Sequence, residues 1–278
     1  MRKVLVIGGT GPTGIHIVEG LRRRGHEVVI LHRGLHERPE TPIDVEHIHA
    51  DPYDVDSVAA ALEGRSFDVA VVMYGRLRRL AELLRGRVDQ FVSVGGVPAI
   101  RGWMNPWPLQ VVPREWSIVR RILDGRRSIV VADDGLTLHH HGYTENLAHA
   151  VLLGVDQPEA AAGHRFNCGD DEVLSIRQVI ELVATELGAE LEIVSMPFEI
   201  ATPARPLLAQ PATTHRVLDT SLLHTVLGYR DPVPAREAVR RTARWLVEHP
   251  IAPGAPEEFV LTDPFDYDAE DRLLSAWR

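Results

Sequence analysis

Hydrophobic positions in the first hundred residues come in short unbroken runs, separated by polar stretches with a helical repeat. Val4, Leu5, Val6 and Ile7 form one such run, and glycines follow at once. A run of this kind predicts a strand buried on both faces. Ile15, Val18 and Leu21 then recur at helical spacing, and Gly25 stops the segment as a C-terminal glycine does. The alternation continues, with strands predicted over 27–31, 45–49, 67–73 and 90–94 and helices over 55–62 and 76–84. Strands alternating with helices predict an α/β fold with a parallel, doubly wound sheet. Ligands of such sheets bind outside the carboxyl ends of the strands. That rule gathers residues 8–14, Arg33, Asp51, Tyr74 and Ser93 around one crevice.

The pattern changes after residue 96. Residues 97–116 carry four prolines and three tryptophans, which predicts an ordered loop. Helical spacing resumes over 118–123, a strand is predicted over 128–132, a helix over 144–153 and a short strand over 165–168. Beyond Gly169 a smaller C-terminal α/β lobe begins. The expected division is 1–170 for a Rossmann-like, nucleotide-binding domain and 171–278 for a substrate-side lobe. Ser175 and Gln178 form a capping box before the stripe Ile176, Val179, Ile180, Val183. Further elements are expected as a strand over 191–194, an irregular proline-rich arm over 197–211, and helices over 219–227 and 234–249. The tail from Ile251 reads as a surface strap.

The turn at Gly8, Gly9, Thr10, Gly11, Pro12, Thr13 and Gly14 carries the first chemistry. Glycines there let backbone N–H groups approach a pyrophosphate, and Pro12 suits a first helical turn that needs no N–H. A tight structural turn is the plainer alternative; its place after a first strand and before a helix favours phosphate. The end of the second strand reads His32-Arg33-Gly34, with Arg38 nearby, where an NAD site usually has Asp or Glu. Arginine attracts a 2′-phosphate, so NADP is expected, with NAD as the alternative. Asp51 either bonds an adenine amino group or caps the next helix.

A net charge of −9 argues against nucleic-acid or anionic-membrane partners, and no apolar stretch reaches membrane-spanning length. One cysteine, Cys168, excludes an internal disulfide and suits a reducing cytoplasm. No Cys/His zinc spacing stands out, so no metal is expected. The basic residues are 29 arginines and one lysine, Lys3.

These residues resemble the extended short-chain dehydrogenase/reductase superfamily, in its NAD-dependent epimerase/dehydratase branch. The resemblance rests on 8–14, HRG at 32–34, HADPYD at 49–54, FVSVGG at 91–96, ILDGR at 122–126, GYTENLAHAV at 142–151, FNCGDDEVLSI at 166–176 and LDTSLLHTVLGY at 218–229. It implies a dinucleotide in the N-terminal lobe, a small substrate, often a sugar nucleotide, between the lobes, and a homodimer. It also implies Ser or Thr after the fifth strand and a Tyr-x-x-x-Lys pair, in which the ammonium lowers the phenol pKa. Ser93 fills the first position. The residues four beyond Tyr53, Tyr74, Tyr143, Tyr229 and Tyr267 are Ser57, Arg78, Leu147, Val233 and Asp271, so the pair is missing from these residues.

Candidate replacements are Ser93, Tyr74 with Arg78 as its cation, Tyr143, and the histidines 139–141 as acid or base. Adjacent histidines on an extended segment alternate faces and would not converge on one metal. Trp103, Trp107 and Trp116 read as cover for a core edge, and the arginines at 22–24 and 236–244 as solvated helix faces. The expectation is an NADP-binding, epimerase- or reductase-like enzyme. The alternatives are a dinucleotide-binding sensor or partner protein without catalysis, and a non-redox dehydratase or cyclase.

Overall fold

A computed structural model describes residues 1–35, 41–42, 44–95, 114–208, 212–259 and 261–278. The chain divides into two compact units: unit 1 is Met1–Pro106, Gly142–Gly169 and Asp219–Pro232; unit 2 is Trp107–His141, Asp170–Leu218 and Val233–Arg278. The chain passes between units several times, where the sequence pattern suggested one boundary at 170.

Unit 1 is the doubly wound part. Its strands are β1 (Lys3–Ile7), β2 (Glu27–His32), β3 (Glu46–His49), β4 (Val69–Val72) and β5 (Gln90–Ser93). They form a parallel sheet in the order β3-β2-β1-β4-β5. The unbroken apolar runs are explained by cover on both faces. Val4, Val6, Ile30, Val69 and Val71 pack against α1 (Pro12–Arg23) and α5 (Thr144–Asp156) through Ile17, Val18, Leu21 and Leu152. The alternate residues Leu5, Ile7, Leu31 and Val72 meet Val58 of α2 (Val55–Ala61) and Leu80 and Leu84 of α3 (Leu77–Leu84). Successive side chains of one strand thus feed two cores. Two small helices, α6 (Pro158–Ala161) and α9 (Ser221–Leu227), complete the unit. Residues 165–168 form no strand. Phe166 and Cys168 instead pack beside Leu223, Leu227 and Tyr229, so their apolar character reports packing alone.

In unit 2, β6 (Ser128–Ala132) pairs in parallel with β9 (Glu192–Met196) as a separate two-stranded sheet, and β7 (Leu138–His139) pairs antiparallel with β8 (Leu174–Ser175). Around them lie α4 (Trp116–Leu123), α7 (Ile176–Glu186), α8 (Arg205–Leu208), α10 (Ala235–Glu248), α11 (Pro256–Phe259) and α12 (Tyr267–Trp277). The α7 capping box forms as expected: the Gln178 N–H donates to Ser175 Oγ, and the Ser175 N–H donates to Gln178 Oε1. The proline-rich arm is partly helical, at α8. The tail is no loose strap, because its acids reach inside. Arg121 of α4 is buried and donates to Asp263 and Glu270, both buried. Glu258 accepts from Trp116 Nε1 at 2.9 Å and from Arg120 at 2.5 Å. Trp116 therefore belongs to the core of unit 2; Trp103 and Trp107 lie outside the described residues.

Candidate functional site

The turn after β1 is built as the spacing demanded. Gly8 has φ of +97°, and its N–H donates to Leu31 O, tying the turn to β2. A Cβ on Gly14 would lie 2.6 Å from Gly8 O and 2.7 Å from Gly9 C. A Cβ on Gly9 would press on Ile30 and Val18 at 3.0 Å. Gly11 differs, since a Cβ there would meet nothing within 4 Å. Gly11 is also the N-cap of α1, with no side-chain cap, Pro12 follows it, and the first turn holds no acid. The helix therefore presents backbone N–H groups that no side chain of the cap satisfies.

Around that turn stand Arg33, Asp51, Tyr53 and Tyr74. The Tyr74 Cβ is 2.9 Å from a Cβ built on Gly8. The Arg33 guanidinium lies 5.6 Å from the Tyr74 ring centre, and the Tyr53 ring meets Tyr74 edge-on at 5.0 Å. Tyr53 had no sequence signal beyond its place in the loop after β3. Asp51 is not the cap of α2; Asp54 is, accepting from the N–H groups of Asp56 and Ser57. Asp51 accepts from the Tyr53 N–H at 2.9 Å and so shapes this loop.

Tyr74 does not gain the acidity that an arginine partner was expected to give. Burial raises its phenol pKa first, Tyr53 adds to the rise, and Arg33 only partly opposes it. Arg78 lies far out in solvent and pairs with Glu82. Ser93 is exposed at the carboxyl end of β5, paired in register with Val72. Tyr143 is the N-cap residue of α5. Arg38 lies outside the described residues, as do residues 96–113, where most of the expected Trp- and Pro-rich loop falls. Lys3 pairs with Glu27 at the opposite end of β1.

Three imidazoles meet beside Arg33, a grouping the spacing did not reveal. The register pairs His32 with His49 and Ile30 with His47, so His32, His47 and His49 share one face of the β2–β3 edge. One nitrogen from each lies within 4.8 Å of the others. The sequence signal was the alternation His47-Ile48-His49 on a strand. The Gly34 N–H donates to His32 Nδ1, so His32 Nε2 holds the proton and donates to His47 Nδ1 at 2.8 Å. His47 Nε2–H then donates to Pro42 O. His32 and His47 thus form a hydrogen-bonded chain from Gly34 to Pro42 O, and the His49 ring stands edge-on to His32 with centres 4.9 Å apart.

The histidines 139–141 alternate as an extended segment must. His140 is held by backbone on both sides, accepting from the Leu218 N–H and donating to Asp170 O. His139 and His141 share the other face, ring centres 5.3 Å apart. Arg114 donates to His139 Nε2 at 3.0 Å, and burial followed by the Arg114 charge pushes the His139 pKa down to about 3. His139 is thus neutral at physiological pH and no general acid. The arginines expected as solvated faces largely hold surface pairs, among them Arg24 with Asp156 and Arg236 with Glu172.

Comparison with known proteins agrees with this geometry. Residues 4–80 match the NAD dependent epimerase/dehydratase family. That stretch spans β1 to α3 and so includes the glycine turn and the end of β2. An uncharacterised protein of Escherichia coli, YbjS, is 24% identical over 141 residues, 44% of this chain and 42% of its own length. A UDP-D-apiose/UDP-D-xylose synthase of Arabidopsis thaliana is 26% identical over 137 residues, 48% of this chain and 34% of its own length. The chain thus aligns with less than half the length of either relative. Fold similarity is wider. The UDP-N-acetylglucosamine 4-epimerase of Bacillus cereus superposes with a TM-score of 0.66 at 15% identity, over 89% of this chain and 100% of that one. A dTDP-glucose 4,6-dehydratase of Bacillus anthracis, in complex with NAD, gives 0.64 at 12% identity, over 90% and 98%. The α/β fold with sheet order 3-2-1-4-5 is that of these structures.

Proposed function

We propose that this chain binds a nicotinamide dinucleotide on the β1–α1 turn and acts as an epimerase- or reductase-like enzyme on a sugar or sugar-nucleotide substrate. One observation carries the binding half. Gly8, Gly9 and Gly14 are required by neighbouring protein atoms, but Gly11 is not, and it sits at an uncapped helix N-terminus. Space kept open beside free N–H groups suits a pyrophosphate. Thr10, Pro12 and Thr13 complete the cradle, with Arg33, Asp51 and Tyr74 beside it. The substrate class is drawn from the UDP- and dTDP-sugar enzymes that the chain resembles.

NADP is favoured over NAD because Arg33 follows β2 and the last residue of β2 is His32, with no carboxylate to repel a 2′-phosphate. When bound, the nicotinamide supplies or accepts a hydride. Ser93, Tyr143 and Tyr74 are the residues proposed to meet a substrate hydroxyl or carbonyl. With its pKa raised, Tyr74 suits donating a hydrogen bond better than taking a proton. Fluorescence titration with NADPH and NADH tests the reading. Arg33→Ala is expected to weaken NADPH at least tenfold and NADH little; equal losses would remove the NADP preference.

A second reading is favoured by one fact: the only lysine, Lys3, lies at the far end of β1 and pairs with Glu27. The protein would then bind the dinucleotide without turnover. A survey of nucleotide sugars separates the two. A change in nicotinamide absorbance that Ser93→Ala abolishes supports the enzyme, and binding with no change throughout supports the sensor. Product formed without any nicotinamide would point to non-redox chemistry.

A further inference from the structure

Unit 2 holds a small cavity that the proposed function does not use. Its polar lining is Arg114, Glu115, His139 and His141, and its apolar lining includes Ile118, Ile176 and Leu207. We propose that this cavity binds a small aliphatic carboxylate, gripped by the Arg114 guanidinium with His141 beside it. The proposal is independent of the dinucleotide reading, since every residue it uses belongs to unit 2.

Two polar side chains of the lining make fewer hydrogen bonds than they can. Arg114 has five N–H donors, and among the described residues its one side-chain hydrogen bond goes to His139 Nε2. That acceptor is a neutral ring, so it brings no charge to the guanidinium. Glu115 helps electrostatically, but burial and the nearby Arg216 outweigh it and push the Arg114 pKa down to about 10. A cation in that state gains from a further anion. His141 supplies the second, independent deficit. Its Nδ1 is buried and has no hydrogen-bond partner among the described residues. Its Nε2 lies 3.7 Å from Glu115 Oε1, beyond hydrogen-bonding distance. A carboxylate offers two oxygens, which match the guanidinium fork and leave a lone pair for an imidazole N–H.

The apolar lining narrows the class. Ile176 is the first residue of α7 and Ile118 lies in the first turn of α4, so two helix N-termini favour negative charge here while their side chains stay apolar. Phosphate would set oxygens against Ile118 and Leu207, whereas a short branched acid would place methyl groups there.

Calorimetric titration of the full chain with isobutyrate, isobutyramide and inorganic phosphate tests this. Saturable isobutyrate binding is expected, with no binding of the amide and weaker binding of phosphate. Arg114→Gln should weaken isobutyrate at least tenfold. Arg114→Lys, which keeps the charge but loses the fork, should weaken it several-fold and serves if the first variant does not fold. Arg236→Gln, an exposed control, should leave the affinity unchanged. Amide binding equal to the acid, tighter phosphate binding, or an affinity unaltered by the Arg114 variants would each overturn the proposal.

Discussion

Gly11 and Gly14 need glycine for different reasons, and the difference can be measured. At Gly14 a methyl group would enter the backbone of Gly8 and Gly9, which cannot swing aside. Gly14→Ala should cost about 1–3 kcal/mol, the range for overpacking. At Gly11 a methyl group meets only open space, so Gly11→Ala should cost under about 1 kcal/mol, mainly as a poorer N-cap. Yet it should weaken dinucleotide binding at least tenfold. Urea denaturation beside NADPH titration checks the pair; a Gly11→Ala protein with full affinity would mean the gap is not a ligand's. The residue types of this turn were legible in the sequence because strand, glycines and helix follow one another directly. The grouping of His32, His47 and His49 was not. It depends on the register that sets His32 opposite His49, and register is a property of two strands. Likewise the shift at Tyr74 comes from burial first and Tyr53 second, neither of which a count of four residues to Arg78 could report.

At the scale of elements, helix α4 and the segments around it were only partly foreseeable. Its apolar spacing was visible, but Arg121 on the same helix is fully buried, which no helical pattern predicts. The explanation lies about 140 residues further along the chain: Asp263 and Glu270 enclose the guanidinium. The acids of the tail looked like solubilising charge because their partner is remote in sequence. Breaking such a buried cluster on one side leaves an uncompensated charge. Arg121→Ala should therefore cost about 3–5 kcal/mol by urea denaturation, whereas replacing all three residues with apolar ones of similar volume should cost far less. Strand β7 makes a second prediction. Burial first, and then the charges of Arg114, His141, Arg216 and His140, take the His139 pKa from 6.5 to about 3 on folding. Between those values the unfolded chain binds the proton and the folded chain does not, so stability falls as pH drops through this window. The slope from this one group is at most about 1.4 kcal/mol per pH unit. His139→Gln keeps an acceptor for Arg114 and cannot titrate. Its stability should fall less steeply from pH 6.5 to 4 than that of the parent chain; identical slopes would place the acid sensitivity elsewhere.

For the whole molecule, the division of the chain matters more than its single fold label. The first five strands were legible because each lies in a continuous sheet with helices on both faces, so local pattern and global packing agree. Strand β6 has the same apolar pattern, Ser-Ile-Val-Val-Ala, but it pairs with β9 in the other unit. Pattern marks a strand and is silent on which sheet receives it. That division also allows the two proposed sites to be tested in one experiment. Hydrogen exchange on the intact chain should show NADPH protecting amides of residues 8–15 and 33–34, all in unit 1. Isobutyrate should protect amides of 114–118 and 139–141, all in unit 2. A ligand that binds only the folded state at 100 times its Kd adds about 2.7 kcal/mol of stability. Protection at its own contacts should therefore be plain even where the rest of the chain is unchanged. Arg114→Gln should erase the second footprint and spare the first, and Gly11→Ala should do the reverse. If either substitution removed both footprints, the sites would be coupled through a shared folding equilibrium, and the independence of the carboxylate cavity from the dinucleotide turn would be disproved.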